Sequence, residues 1–156
     1  MDWVAGRTTT LAKVKLLEML ASIPYREWET HHYGLMTRGY RNAALVQEAR
    51  EIVRWGRQAQ DNECSHLLVI AEKMKAEGVL DPWYVVSPIA WLLVWGYRLL
   101  ARVLALVSLR RAFLFNAELE DHAEHLYALF VADNPSWESQ VVRTPHVAKY
   151  NGEVDT

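Results

Sequence analysis

The residues best suited to chemistry lie in the stretch 60–68, where a carboxylate and an imidazole are spaced one helical turn apart. Glu63 and His66 are separated by three positions, so on a helix they point from the same face. A carboxylate oxygen and an imidazole nitrogen that converge in this way form half of a metal site, which glutamates from other helices of a bundle can complete. Because Glu and His fall at this spacing by chance in many helices, the pair alone is weak support for a metal site.

The pair lies within a stripe of apolar and small residues that predicts a buried helix face. The members of the stripe recur at helical spacing and are Leu45, Ala49, Ile52, Gly56, Ala59, Glu63, His66 and Ile70. A buried carboxylate without a partner is costly, and a metal ion is one way to satisfy it. The small residues Gly56 and Ala59 would let a neighbouring helix approach closely just before Glu63.

Two other segments each carry a carboxylate beside apolar residues. Glu18 lies at the edge of an apolar flank in a first helix, where a solvated glutamate is an equally good interpretation. Further along, a second stripe turns Glu120 and Tyr127 inward together; its members are Phe113, Asn116, Glu120, Ala123, Tyr127 and Phe130. Other faces of this segment carry Glu118, Asp121, His122 and His125, and a dense run of acids and histidines is usually a solvated face.

Length, charge and composition indicate the number of domains, the type of secondary structure and the compartment of the protein. The 156 residues suffice for one domain, residues 1–156, and the scarcity of Gly and Pro favours helices. A net charge of −2 without a basic run gives no support for a nucleic-acid partner. The single cysteine, Cys64, rules out an internal disulfide, suits a reducing compartment and is interpreted as a packing residue. Because the N-terminus has no signal-peptide core, we expect a chain that is not exported.

The periodicity predicts an all-α fold without a sheet, and its signals set the limits of the helices. The main helices are expected near 11–39, 41–77, 84–107 and 110–132, with the tail 136–156 as a loop. Thr10 and its neighbouring threonines offer N-cap hydroxyls for the first helix, which Pro24 should kink or end. Gly78 is placed to end the second helix as its C′ residue.

Residues 83–115 are the most hydrophobic part of the chain. Arg98 and Arg102 interrupt the apolar run, so a membrane-spanning helix is not expected. Trp91 and Trp95 share a face of an apolar helix, and arginines can extend to lipid headgroups, a pattern that favours a helix lying in the membrane interface. The alternative is a buried core helix whose two arginines pair with acids.

Taken in chain order, these motifs resemble those of the alternative oxidases, with a bacterial branch of that family the most similar. The resemblance covers roughly residues 8–152. It is carried by Leu17-Glu18 with Ala21 and Pro24, by Asn62-Glu63-x-x-His66-Leu67, and by Leu119-Glu120-Asp121-x-Ala123 with Tyr127. It implies a ferritin-like antiparallel bundle of long helices that binds one leaflet of a membrane.

The resemblance also assigns roles to residues. It implies Glu18, Glu63, His66 and Glu120 as ligands of a di-iron centre, with Tyr127 as a catalytic residue in oxygen chemistry. The family carries a second Glu-x-x-His on a later helix, and none follows Tyr127 in this chain. The sequence therefore matches the family without its last helix, and weak or partial iron occupancy is expected.

The implied function is a quinol oxidase that reduces O2 to water with electrons from quinol. Its partners would be quinol, O2 and one membrane leaflet, at the cytoplasmic face of a bacterial inner membrane, with a homodimer as a further expectation and no nucleic acid. Two alternatives remain open. One is another di-iron carboxylate oxygenase or hydroxylase in the same bundle, and the other is a metal-poor helical subunit at the membrane surface.

Overall fold

A computed structural model describes residues 10–137, 139–140 and 144–150, and within these ranges the chain forms helices and turns with no β-strand. The predicted all-α class is confirmed. The helices are α1 (Leu11–Arg38), α2 (Ala43–Ala76), α3 (Trp83–Val86), α4 (Pro88–Val107), α5 (Leu109–Asp133) and α6 (Pro145–Tyr150), with a 3-10 turn at Pro135–Trp137.

Short polar side chains fix where the long helices begin. The Thr10 hydroxyl accepts a hydrogen bond from the backbone N–H of Lys13 at 3.3 Å, which confirms the predicted cap of α1. Asn42, Ser87 and Ser108 cap α2, α4 and α5 in the same way; the acceptor distances are 3.2, 3.4 and 3.4 Å. Each cap satisfies a backbone donor that the first turn of a helix leaves without a partner.

Gly78 ends α2 as the sequence predicts. Its φ is 67°, a left-handed conformation that favours glycine, and its N–H donates to the Lys75 carbonyl at 3.2 Å. The N–H of Val79 donates to the Met74 carbonyl at 2.8 Å. These two bonds form a Schellman motif, which satisfies carbonyls of the last turn.

The structure excludes one of the two expected effects of Pro24 and corrects the expected helix limits at two places. Pro24 does not end α1, which continues to Arg38, because the ring removes only one backbone bond and packing on several sides holds the helix. The segment 84–107 is divided at Ser87, since a residue before proline disfavours helical backbone. The tail contains the short helix α6, whereas residues 138, 141–143 and 151–156 lie outside the described residues.

The first helix, α1, is the central element and packs against α2, α4 and α5. Glu18 meets His66 and Glu29 meets Arg57, so sequence numbers rise along α1 as they fall along α2. Tyr25 likewise meets Glu120 of α5, and Glu18 meets Tyr127, so sequence numbers also fall along α5 as they rise along α1. The long helices α2 and α5 therefore both run antiparallel to α1, and this arrangement brings residues from all three helices to one point.

Two apolar clusters lie on either side of that point. One joins the start of α1 to the end of α2 through Leu11, Ala12, Val14, Ile70 and Met74. The other joins the middle of α1 to the turn between α4 and α5 through Tyr25, Trp28, Ala105 and Ala112. Burial of apolar area at both clusters stabilises the helix pairs, and polar side chains between the clusters are held in fixed positions.

Gly56 allows the close approach of α1 and α2 that the sequence predicts. A Cβ atom at this position would lie 3.1 Å from the Tyr25 carbonyl oxygen and 3.6 Å from the Glu29 Cβ. The contact with a backbone atom cannot be relieved by a rotamer change. Glycine at position 56 therefore sets the helix separation two turns before Glu63.

The outward side of α4 is an exposed apolar surface, called here the α4 apolar face. Its side chains are between 45% and 70% exposed and comprise Trp91, Leu92, Leu93, Trp95, Leu99, Leu100, Val103, Leu106 and Val107. By length and composition the segment Ala90–Val107 is apolar enough to cross a membrane, and 17% of it is buried. Contiguous exposed apolar area of this kind marks a contact surface.

The inner side of α4 is anchored to α1 by an ion pair. Arg98 Nε donates to Glu27 Oε1 at 2.9 Å, and the Glu27 side chain is only 4% exposed. The Arg98 guanidinium also lies 5.2 Å from the centre of the Trp95 ring. α4 thus combines the exposed aromatic surface of the interfacial interpretation with the arginine–acid pair of the buried-helix alternative.

Candidate metal centre

Three side chains from two helices converge to form a potential metal site. One ligand atom each from Glu18, Glu63 and His66 lies within 4.8 Å of the other two. His66 Nδ1 is 3.4 Å from Glu18 Oε2 and 3.9 Å from Glu63 Oε2. Two carboxylates and one imidazole at this separation can coordinate a single cation.

Glu18 is the most deeply buried member of the group, at 3% exposed. Its Oε1 accepts a hydrogen bond from the Tyr127 hydroxyl of α5. Its Oε2 is fully buried and lies 3.4 Å from His66 Nδ1, an ion pair when the imidazole is protonated, without a well-aligned hydrogen bond in the part of the chain that the structure describes. A buried carboxylate oxygen held by this contact is a position where a cation would be stabilised.

The electrostatics of the group reflect its burial. Burial raises the pKa of Glu63 to about 7, and the neighbouring carboxylates of Glu18 and Glu120 act in the same direction. Burial also acts to raise the pKa of Glu18, but polar contacts with His66, Tyr127 and Glu63 outweigh it, and the pKa of Glu18 is lowered. The contact with Glu18 raises the pKa of His66 against the opposing effect of burial.

Tyr127 stands beside the group, as its place in the second stripe predicts. Burial, followed by the hydrogen bond to Glu18, raises the pKa of its phenol. The hydroxyl therefore remains protonated at neutral pH and donates to Glu18. A phenol in this position can hold a proton next to any species bound by the carboxylates.

Glu120 lines the same cavity but stands apart from the three converging ligand atoms. Its Oε1 accepts a hydrogen bond from the Tyr25 hydroxyl at 2.9 Å, and Asn116 Nδ2 lies 3.4 Å from the same oxygen. Asn116 Nδ2 also donates to the Tyr25 oxygen at 3.0 Å. Tyr25 and Asn116 therefore fix the orientation of the Glu120 carboxylate.

All five sequence-predicted site residues line one cavity of about 690 Å³ between α1, α2 and α5. They are Glu18, Glu63, His66, Glu120 and Tyr127. The other walls are largely apolar or aromatic and include Leu17, Ala21, Tyr25, Trp28, Trp55, Phe113 and Ala123. An acidic group within an apolar wall is suited to binding a cation away from bulk water.

The residues present fit a transition-metal ion. Carboxylate oxygens and an imidazole nitrogen suit iron and related divalent metals, and the fully buried Glu18 Oε2 offers an oxygen that faces His66 Nδ1 at 3.4 Å. A cation between the carboxylates would also offset the burial and the repulsion between carboxylates that raise the pKa of Glu63. That the bound metal is iron is a prediction.

Sequence reasoning missed Tyr25 as a site residue. Tyr25 follows Glu18 by seven positions, two helical turns, and therefore projects from the same face of α1. This spacing of seven residues is the sequence signal that could have identified Tyr25 as a site residue. The predicted solvated residues of α5 are exposed as expected; they are Glu118, Asp121, His122 and His125. Cys64, interpreted as a packing residue, is exposed instead.

Comparisons of the chain with protein-family models, with curated proteins and with solved structures gave no match. The similarity to the alternative oxidases, the ferritin-like arrangement and the di-iron role of the site residues therefore stay predictions. The geometry of the carboxylate–histidine group is the observation on which a function can be built.

Proposed function

We propose that this chain is a membrane-surface metalloprotein that binds iron in the carboxylate–histidine cavity and takes part in the reduction of O2 by quinol. Glu18, Glu63 and His66 would hold the metal, with Glu120 as a further ligand from α5. This proposal includes a ferritin-like arrangement of the long helices, and it places the chain at the cytoplasmic face of a bacterial inner membrane.

The observation that carries the proposal is the convergence of Glu18, Glu63 and His66 within 4.8 Å in a cavity lined by α1, α2 and α5. Burying two carboxylates this close together is unfavourable unless one is protonated or a cation lies between them. The chain nevertheless places both on the helix faces that pack together. A binding function accounts for this arrangement better than packing does.

Bound iron would supply one-electron redox chemistry and a coordination position for O2. The side chains of the cavity would hold protons and border the reacting species. Tyr127 holds a phenol proton at Glu18, and His66 provides a neutral imidazole to the metal group. The largely apolar walls would limit the water next to the reacting oxygen species.

A second cavity supports an apolar substrate such as quinol. It has a volume of about 410 Å³ and shares His66 and Tyr127 with the first cavity. Its other lining residues are the aliphatic Val69, Ile70 and Val147. A hydrophobic ring bound there would lie against the two residues that border the metal group.

The α4 apolar face supports attachment to one leaflet. α4 packs along α1, which carries the buried charges of Glu18 and Glu27. Inserting α4 across the bilayer would bring those charges into the hydrocarbon, which is costly. A helix that lies in the interface with its apolar face toward lipid avoids this cost.

A metal-poor subunit at the membrane surface is the second candidate, and one observation favours it. Glu120 is already satisfied by Tyr25 and Asn116, and a raised pKa lets Glu63 share a proton with Glu18 without any metal. The cavity would then be a protonated carboxylate cluster in a helical scaffold.

Iron binding separates these candidates. Purified chain is loaded with ferrous ion without oxygen, and bound iron per chain is measured for the wild type, Glu18→Gln, His66→Ala and His122→Ala. His122 is an exposed histidine on α5 and serves as the matched control. We expect iron on the wild type and on His122→Ala, and at least a tenfold loss of affinity in the other two variants, as for removal of a ligand.

Oxygen uptake tests the reaction. With iron bound, we expect quinol-dependent O2 consumption that Tyr127→Phe lowers while leaving iron content unchanged. Iron binding without quinol-dependent uptake would instead favour the other di-iron oxygenases. Equal, near-zero iron in all four chains at saturating ferrous ion would leave only the scaffold candidate.

A further inference from the structure

Three aromatic rings connect the candidate metal cavity to the protein surface. Trp28 and Trp55 are stacked, with ring centres 5.5 Å apart and an angle of 10° between the planes. Tyr25 meets both rings edge-on, at 5.3 Å from Trp28 and 5.6 Å from Trp55. At these separations the rings are in contact.

The two ends of this aromatic trio face different surroundings. The Tyr25 hydroxyl donates to Glu120 in the cavity and accepts from Asn116, whereas the Trp55 side is open, with 45% of the residue exposed. Trp28, which contacts both of the other rings, is 1% exposed. The trio thus runs from a carboxylate of the cavity to solvent without a gap.

We propose that Tyr25, Trp28 and Trp55 form an electron relay that carries single electrons between the protein surface and the Glu120 end of the cavity. Tryptophan and tyrosine are the side chains that give up one electron most readily apart from cysteine. A stacked tryptophan pair shares the resulting positive charge over two rings. Contact between all three rings gives each transfer the shortest distance that separate side chains allow.

The hydrogen bond to Glu120 lets the tyrosine lose its proton together with its electron. In the metal-free protein, an external one-electron oxidant such as a photo-oxidised metal complex takes an electron from Trp55, and the tryptophan pair takes one from Tyr25. The phenol proton passes to the Glu120 carboxylate, and a neutral tyrosyl radical remains. An external one-electron reductant such as a thiol or ascorbate then returns an electron through the tryptophan pair, and the proton moves back from Glu120.

The relay would have two uses in an oxygen-reducing protein. It would deliver single electrons to the cavity, or it would drain an oxidising equivalent to the surface when quinol is absent and so protect the cavity walls. The source of the oxidant rests on the proposed function. The relay itself is a property of the side chains and can be tested in metal-free protein.

The experiment places a photo-oxidant beside Trp55. Gln58 is exposed and follows Trp55 by one helical turn, so Gln58→Cys in a Cys64→Ser background gives a single attachment point for a ruthenium polypyridyl label. A laser flash with an external electron acceptor oxidises the label, which takes an electron from Trp55. We expect the tryptophan radical to decay as a tyrosyl radical appears. Transient absorption and electron paramagnetic resonance detect both radicals.

Two tyrosine variants test whether the tyrosyl radical forms on Tyr25. Tyr25→Phe should abolish the tyrosyl signal, while Tyr33→Phe, at an exposed tyrosine two turns along α1, should retain it. Glu120→Gln keeps the hydrogen-bond acceptor but is a far weaker base, so the tyrosyl radical should form at least tenfold more slowly. Circular dichroism confirms that each variant is folded.

Three results would overturn the relay. They are the absence of a tyrosyl radical in the labelled parent, an undiminished signal in Tyr25→Phe, and loss of the signal in Tyr33→Phe instead. An unchanged rate in Glu120→Gln would overturn the proton path to that carboxylate. Because no metal is present, these outcomes are independent of whether the chain binds iron.

Discussion

At the scale of single residues, Glu63 shows how the site opposes the stability of the metal-free fold. Its folded pKa of about 7 lies above the ordinary value of 4.5, because burial and the Glu18 carboxylate disfavour its charge. Below 4.5 the group is protonated in both folded and unfolded chains. As pH rises toward 7 the unfolded chain ionises first, so stability falls, and the full penalty persists above 7.

Glu63→Gln should therefore stabilise the metal-free protein at neutral and higher pH. The amide mimics the protonated acid and keeps a donor for Glu18, so we expect a gain of up to about 3 kcal/mol near pH 8 and almost none near pH 4. The same variant should lose iron affinity. Thermal unfolding at the two pH values measures the gain, with Glu118→Gln, an exposed glutamate of α5, as control. A gain that is equal at both pH values would contradict the buried-charge argument.

Sequence patterns predict the role of a residue when its position depends only on its own helix, and they fail when it depends on contacts with another helix. Glu63, Glu120 and Tyr127 were found because helical spacing alone turns each toward an apolar face, whereas Glu18 was identified through the family resemblance. The hydrogen bond from Tyr25 to Glu120 joins residues 95 positions apart and depends on the register between α1 and α5. No single-helix pattern contains that register.

At the scale of helices, local signals were sufficient where a cap or a proline acts within one turn. Thr10 and Gly78 fixed the start of α1 and the end of α2, as predicted. Pro24 did not end α1, because tertiary packing decides whether a helix survives the loss of one backbone bond. The pairing of Arg98 with Glu27, which anchors α4, likewise needed the three-dimensional structure.

The helix crossing at Gly56 is predicted to depend on the missing side chain. In Gly56→Leu the new atoms would meet the α1 backbone at Tyr25, so α1 and α2 must separate and the ligand group must widen. We expect a loss of about 1–3 kcal/mol together with weaker iron binding. Gly96→Leu in α4 is the control, because a Cβ there meets no atom within 4 Å. Denaturant unfolding of both variants measures the difference, and equal stabilities would contradict the close-approach argument.

The ion pair between α4 and α1 gives a second prediction at this scale. Arg98→Met would leave the buried Glu27 carboxylate without its donor, and we expect a loss of about 2 kcal/mol. Adding Glu27→Gln removes the charge and should recover much of the loss. Chemical unfolding of the two single variants and the double variant gives the coupling energy. Purely additive effects would show that the pair does not anchor α4.

At the scale of the whole molecule, the metal group and the α4 apolar face lie on different sides of the same central helix. α1 contributes Glu18 to the cavity and Glu27 to the anchor of α4, so one rigid element positions both. An apolar substrate held in the membrane would need a path around α1 to reach the cavity. The aliphatic second cavity beside His66 and Tyr127 offers room for its ring.

Membrane attachment through the α4 apolar face is the prediction that tests this arrangement. Trp91 and Leu92 are 61% and 63% exposed, so replacing both by Glu should leave the packing of the helices intact. Each wild-type side chain would contribute roughly 1.5–3 kcal/mol when fully buried, and partial burial in lipid still gives at least about tenfold weaker binding for the double variant. Cosedimentation with anionic liposomes measures the bound fraction, and circular dichroism confirms unchanged helicity. Leu129→Glu with Val131→Glu, two exposed residues of α5, is the matched control and should bind as the wild type does. A wild-type chain that stays wholly in the supernatant would exclude the interfacial role of α4.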